Sequence, residues 1–349
     1  MKTILIIGAG KTGRGFIPQY IQDSQIYFAD KNEELIYQMK KTNNYKIQFY
    51  GNTQKEIIIH YEDAFYIKSH DFYHLAKTVD QIYISIDVSH YDELKEDLDK
   101  ALLKREKPLV IITFENAPSA SQKLLSILSK DISCSITLLD GGVFCTTNES
   151  DDLNIISQDL CYLPIQSCQN IDLPLFPVTP IQDFKSLMER KLYTYNCLSA
   201  VICYQGYIYH YEDLGDAAHD QRIILDIQTL LKDLDMNISH EFQIPLEEQR
   251  AFSQSAVDKF SDCFLKDSIQ RNARNVIRKL GVQERLLKPL QIITDKNAQD
   301  VLFKTIACAC YYDLIEETHQ GIDLLKELDL SNSFQDKIKF FYKQIQEFI

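Results

Sequence analysis

Thr3-Ile4-Leu5-Ile6-Ile7-Gly8-Ala9-Gly10-Lys11-Thr12-Gly13-Arg14-Gly15 stands at the head of the chain, and its reading decides the fold. The β-branched run reads as a strand buried on both faces. The glycines after it keep G-x-G-x-x-G spacing. Gly8 allows a tight turn, Gly10 lets main chain approach a pyrophosphate, and Gly13 lets the next helix pack on the strand. With Ala9, Lys11 and Thr12 between them, they predict a loop leading into a helix whose N-terminus attracts an anion. A second strand over 25–29 ends at Asp30, about 20 residues beyond the glycines, where a carboxylate holds two ribose hydroxyls and repels a 2′-phosphate. The expected cofactor is therefore NAD rather than NADP. Asp30 is also placed to cap a helix starting at Lys31, and a flavin is the alternative occupant of such a loop.

Working outward, Ile82–Ile86, Leu109–Phe114 and Ser135–Leu139 read as further buried strands, with a charged helix from Tyr91 to Lys104. Residues 45–67 are apolar and aromatic with charged breaks, which predicts strands inserted in or added to the edge of the sheet. Glu115 and Asn116 follow a strand directly, at the carboxyl end that faces the ligand crevice of a doubly wound sheet. Asn116 before Pro118 also suits a turn. Four prolines over 161–180 break periodicity and predict short edge strands or a linker. Beyond Pro180 apolar residues recur at helical spacing. The expected fold class is α/β: a Rossmann-type, mainly parallel, NAD-binding domain over 1–180, then a mainly α-helical substrate and catalytic domain over 181–349.

Composition narrows the function. The 349 residues exceed what one hydrophobic core usually supports, and 45% of them are apolar, enough for two cores. Fifty acidic against 37 basic residues give a net charge of −13, which argues against nucleic acid or an anionic membrane as partner. No apolar run approaches the roughly 20 residues that span a bilayer, and no cationic leader precedes the first strand. A cytoplasmic monomer or small homo-oligomer acting on a small molecule is the expectation. Nine cysteines without a C-x-x-C pair suggest neither a disulfide framework nor a zinc site.

Lys191 and Asn196, in Glu189-Arg190-Lys191-Leu192-Tyr193-Thr194-Tyr195-Asn196, lie where the α/β half gives way to the helical half. Ligand sites of two-domain enzymes favour such seams. A neutral lysine amine can take a hydroxyl proton while an amide N–H donates to the developing alkoxide. Burial or neighbouring cations must keep that lysine neutral, and Arg190 and Lys279 are the candidates. Further on, Arg271, Arg274 and Arg278 fall at i, i+3 and i+7 of a helix predicted to open at Asp267-Ser268 and to close at Gly281. Their guanidiniums on one face suit a phosphate, or else salt bridges to the many carboxylates.

These residues carry a resemblance. Lys191 and Asn196 reproduce the first two elements of the K-x4-N-x2-H signature of the polyol-specific long-chain dehydrogenases. The likeness extends to Gly8–Phe16 with Asp30, Glu115-Asn116, Asp216 with Asp220, Phe264-Leu265-Lys266-Asp267, Arg278-Lys279-Leu280 and Arg285-Leu286-Leu287-Lys288-Pro289. It implies an NAD-dependent oxidoreductase acting on a sugar alcohol or its phosphate, such as mannitol 1-phosphate. By the same resemblance Lys191 is the general base, Asn116 and Asn196 stabilise the oxyanion, and Ser199, Arg274 and Arg278 face substrate. Two departures stand out. Ser199 takes the place of the signature histidine, and Val143-Phe144-Cys145 stands where the family shows V-D-R. The second reading is accordingly a catalytically silent homologue that binds dinucleotide or sugar phosphate as a sensor or partner protein.

Overall fold

The computed structural model describes residues 1–50, 52–150, 152–262, 264, 266–328 and 330–349, with main chain alone at 52–54. Leu265 of the Phe264–Asp267 run lies outside the described residues. The chain divides into two compact units, Met1–Met188 and Glu189–Ile349.

The first unit is built on strands β1 (Lys2–Ile7), β2 (Ser24–Asp30), β3 (Asn44–Phe49), β4 (Asn52–His60), β5 (Asp63–Tyr66), β6 (Gln81–Ile84), β7 (Leu109–Phe114), β8 (Ile136–Gly141), β9 (Thr147–Glu149), β10 (Ile155–Ser157), β11 (Pro164–Gln166) and β12 (Thr179–Ile181). Its helices are α1 (Lys11–Gly15), α2 (Glu33–Lys40), α3 (His70–Thr78), α4 (Tyr91–Leu102) and α5 (Ala120–Ile127). Among the described residues, eight strands form one sheet in the order β12-β11-β8-β7-β6-β1-β2-β5. All its pairings are parallel except that of β11 with β8.

Side chains alternate across a strand, and β1 shows what that achieves. Leu5 and Ile7 join Ile82, Ile84 and the apolar faces of α3, α4 and α5. Ile4 and Ile6 point the other way, toward Phe16, Phe28 and Tyr45. That second face is covered by a four-stranded sheet, β4-β3-β10-β9, in which β3 runs parallel to β10. The expectation for 45–67 is thus corrected in part. β5 does extend the main sheet, but β3 and β4 belong to a separate sheet, because β3 alternates exposed and buried residues and lays Tyr45, Ile47 and Phe49 on the core. Residues 164–181 supply β11 and β12 at the opposite edge.

The second unit is helical: α6 (Phe184–Tyr193) leads into it, followed by α7 (Tyr195–Ile208), α8 (Leu214–Ala217), α9 (Gln221–Glu241), α10 (Leu246–Phe260), α11 (Ile269–Ala273), α12 (Val276–Lys279), α13 (Leu287–Ile292), α14 (Lys296–Glu316) and α15 (Asn332–Phe348). α7 and α14 are buried along most of their lengths. Gly206 lets α7 lie close to its neighbours, since a Cβ there would come within 2.8 Å of Ala217 and Ile269 side chains. No helix among the described residues is long and apolar enough to cross a membrane.

Candidate active site

Sterics shape the glycine loop. Gly8 has φ of +93°, and a Cβ there would lie 2.4 Å from the Ser85 carbonyl oxygen; on Gly13 it would lie 1.9 Å from the carbonyl oxygen of Gly8. A Cβ on Gly10 meets no atom within 4 Å, so the loop is open where main chain would approach a ligand. Lys11 and Thr12, both half-buried, begin α1, which is only five residues long and yields to a 3-10 turn containing Pro18. Asp30 reaches the loop: its Oδ2 accepts from the Ala9 N–H at 2.7 Å and its Oδ1 from the Asn32 N–H at 2.9 Å. The expected helix cap at Asp30 is corrected. β2 runs through Asp30 itself, and the residue next to the first helical turn is Asn32, whose side chain accepts from the Leu35 N–H at 3.1 Å.

Arg14 anchors this loop from beneath. Its guanidinium is 1% exposed and donates to the carbonyls of Ala9 at 2.6 Å and Leu153 at 2.5 Å and to Glu149 at 3.1 Å. The Tyr45 hydroxyl in turn donates to the Arg14 carbonyl at 2.7 Å. Close glycines, an open Gly10 and a carboxylate aligned on the loop together fit the pyrophosphate and ribose of a dinucleotide.

At the carboxyl end of β7, Glu115 is half-buried and Asn116 exposed. Their turn is held from below by Asp140, which accepts from the Thr113 hydroxyl at 2.9 Å and from the Ser121 N–H and hydroxyl at 2.8 and 2.6 Å. Phe144 is 2% exposed and packs edge-on against Tyr162, while the Cys145 sulfur lies 3.3 Å from the Ser157 hydroxyl. Where the resemblance calls for a charged pair, this chain has packing. Among the described residues, no group of three or more His, Cys, Asp or Glu is placed to hold a metal.

In the helical unit Lys191, 6% exposed, sits in the last turn of α6, and Asn196 and Ser199 are half-buried on α7. Between them Thr194 departs from helical geometry, with φ −107° and ψ −74°. Arg190 turns away into a buried polar network. Its Nε donates to Gln249 Oε1 at 2.7 Å, its Nη1 to Glu248 at 2.7 Å, and its guanidinium lies 4.2 Å from the centre of the Phe252 ring. Gln249, fully buried, donates from Nε2 to the Thr194 hydroxyl at 3.1 Å and to Ser253 at 3.0 Å. Asp235 completes the network, accepting from the Ser253 hydroxyl at 2.5 Å, and burial raises its carboxyl above the ordinary range. The signal that finds this network in sequence is a polar pair, Gln249 and Ser253, on the stripe that α10 buries with Ala256 and Phe260.

The predicted arginine helix is corrected: Arg271, Arg274 and Arg278 do not share one helix. Arg274 is extended at ψ 158° and Asn275 is left-handed at φ +65°, which ends α11 and restarts the chain as α12. The break is stabilised from a distance by Glu317, whose carboxylate accepts the N–H groups of Asn275 and, at 2.9 Å, Val276. Arg271 pairs with Asp267 at 3.2 Å and Arg278 with Glu284 at 3.5 Å, whereas Arg274 is exposed. Lys279, 6% exposed, donates to the Asn272 carbonyl. Burial and the nearby Arg285 pull its amine down to about 8.

Residues 2–139 match the family model of the mannitol dehydrogenase Rossmann domain, and residues 183–349 that of the mannitol dehydrogenase C-terminal domain. The chain belongs to the mannitol dehydrogenase family. A mannitol-1-phosphate 5-dehydrogenase of Anoxybacillus flavithermus is 25% identical over 301 residues, covering 81% of this chain and 79% of its own. Its counterpart from Oceanobacillus iheyensis is 25% identical over 355 aligned residues, covering 94% and 91%. Among solved structures, the ternary complex of Pseudomonas fluorescens mannitol 2-dehydrogenase with NAD and D-mannitol superposes with a TM-score of 0.79 at 13% identity, over 99% of this chain and 92% of that one. A substrate-free D-sorbitol dehydrogenase gives 0.72, also at 13%, over 99% and 93%. At that identity the likeness is one of fold.

Proposed function

We propose that this member of the mannitol dehydrogenase family is an NAD-dependent oxidoreductase that interconverts a sugar alcohol, most simply a hexitol phosphate such as mannitol 1-phosphate, and the corresponding keto sugar. The observation that carries the reading is the nearly buried Lys191 five residues before Asn196, in a chain whose glycine loop and Asp30 are arranged to suit a dinucleotide. NAD supplies the hydride acceptor. Gly8, Ala9, Gly10, Lys11, Thr12 and Gly13 form the loop that binds its pyrophosphate, Asp30 takes the ribose hydroxyls, and Glu115 contributes to cofactor binding. We assign the hydroxyl proton to Lys191 Nζ, stabilisation of the alkoxide to the side-chain N–H groups of Asn196 and Asn116, and substrate contact to Ser199. With Arg271 and Arg278 engaged by carboxylates, the exposed Arg274 is the better candidate for a substrate phosphate, with Arg278 second.

A panel of hexitols, pentitols and their phosphates, followed by NADH formation, tests this reading. Turnover that is faster for a phosphorylated hexitol and rises with pH as Lys191 loses its proton is the expected result. The second reading, a silent homologue, is favoured by Ser199 and by the apolar packing of Phe144. It takes over if wild type and Ser199→His are both inert across the panel while NAD still binds.

A further inference from the structure

Lys191 and Asn196 are five residues apart. In an unbroken α-helix, side chains at that spacing point about 140° away from each other. Asn196 and Ser199, three apart, share a face. If Lys191 and Asn196 are to address one hydroxyl group, the helix between them must be distorted, and the structure places the distortion at Thr194. The helical ladder persists across it: the Thr194 N–H donates to the Arg190 carbonyl and the Leu198 N–H to the Thr194 carbonyl, both at 2.9 Å. The Thr194 torsions nonetheless lie off the helical values. As the residue before α7, threonine would ordinarily accept a first-turn N–H with its hydroxyl, but no such cap forms here. The hydroxyl instead accepts from Gln249 Nε2, while Gln249 Oε1 accepts from Arg190 Nε. One buried amide on α10 therefore grips the residue before Lys191 and the residue at the distortion.

We propose that Gln249 is a positioning residue, holding the distorted turn at Thr194 that aims Lys191 and Asn196 at the same reacting oxygen. The inference rests on the assignment of Lys191 and Asn196 made above. Its chemistry is specific. The amide supplies an acceptor for Arg190 and donors for Thr194 and Ser253 without adding charge, whereas a carboxylate at this place would stand against the buried Asp235, to which Gln249 Nε2 lies at 3.3 Å. A methionine would fill the volume and leave both Arg190 Nε and the Thr194 hydroxyl without their partner.

The test uses full-length protein labelled with [ε-13C]lysine, in which the Lys191 resonance is assigned by its loss in Lys191→Arg and followed across pH. Gln249→Met and Thr194→Val should each move the Lys191 resonance and its titration midpoint. Thr194→Ser, which keeps the hydroxyl, should match wild type. Lys304, paired with Asp226 at 2.9 Å, serves as the unmoved control. In turnover, kcat should fall about a hundredfold with KM and NAD affinity changed less than about twofold. Folded Gln249→Met and Thr194→Val with wild-type Lys191 titration would overturn the proposal. Should Gln249→Met not fold, the Thr194→Val and Thr194→Ser pair decides. A chain inert on every polyol would remove the functional reading, and the lysine spectra would still judge this one.

Discussion

Arg14 and Arg190 are both buried guanidiniums lying beside residues assigned to function, yet their partners differ in kind. Arg14 spends two of its three bonds on main-chain carbonyls, those of Ala9 and Leu153. Arg190 donates chiefly to side chains, Gln249 and Glu248. The difference follows what each protects. A phosphate loop works through its backbone, so its conformation must be held and the identities of Ala9, Lys11 and Thr12 matter less. The proposed proton-transfer pair would work through side chains, and the support beside it is a chain of specific side-chain bonds in which any one substitution leaves a buried polar group unmatched. Steric tightness should govern the first region and chemical identity the second.

The largest expected effect tests the second region. Lys191→Ala should lower kcat about 10²–10⁴-fold with NAD affinity unchanged by calorimetry; a variant that keeps most of its rate sinks the base assignment. Lys279 sharpens the contrast, because this buried amine donates to a carbonyl rather than pairing with a carboxylate. Its folded value of about 8 lies below the ordinary 10.5, so between those two pH values the unfolded chain holds the extra proton and stability rises with pH. Below about 8 the full cost, on the order of a few kcal/mol, is present. Urea titrations across that window should show a slope in wild type that Lys279→Met reduces, and parallel curves would contradict it.

In the first region, Gly13→Ala should destabilise by about 1–3 kcal/mol and weaken NAD, since its Cβ collides with main chain. Gly10→Ala should change stability by less than about 0.5 kcal/mol and still weaken NAD. Similar losses of stability from both would break the steric argument. Asp30→Ala should erase the preference for NAD over NADP, a change of about tenfold or more for lost charge-assisted bonds, read from paired fluorescence titrations. Smallest of all, Arg274→Ala should leave the melting temperature unmoved and reduce only the advantage of a phosphorylated over a plain polyol, by about fivefold; an unchanged ratio would remove Arg274 from the site.

What the sequence discloses tracks the range of the interactions involved. β1, the glycine loop and Asp30 are legible because turn sterics and strand periodicity act within a few residues. The anchor of that loop is not, since Arg14 meets Leu153, 139 positions away. Residues 45–67 read as strands from their apolar and aromatic runs, but the sheet that β3 and β4 join depends on β10, which pairs with β3 from about a hundred residues on. The arginines at 271, 274 and 278 keep helical spacing, and only Glu317, from a later helix end, shows why the chain breaks at Asn275. Lys191 and Asn196 are singled out as candidates by a local signature. Gln249 lies 55 positions beyond Thr194 and is visible only as a polar residue on a buried stripe.

The parallel pairing of β3 with β10 also sets a timetable for synthesis. As the chain emerges from the ribosome, β1, the glycine loop and β2 come out early, and the β3–β4 hairpin can close on its own. Its parallel neighbour and the Glu149 and Leu153 partners of Arg14 come out roughly a hundred residues later, after a loop closure that slows folding. A nascent chain arrested before Glu149 would carry the whole glycine motif without the distant partners of Arg14, so the capacity to hold a nucleotide would arise as a late event in the making of a region that begins the sequence.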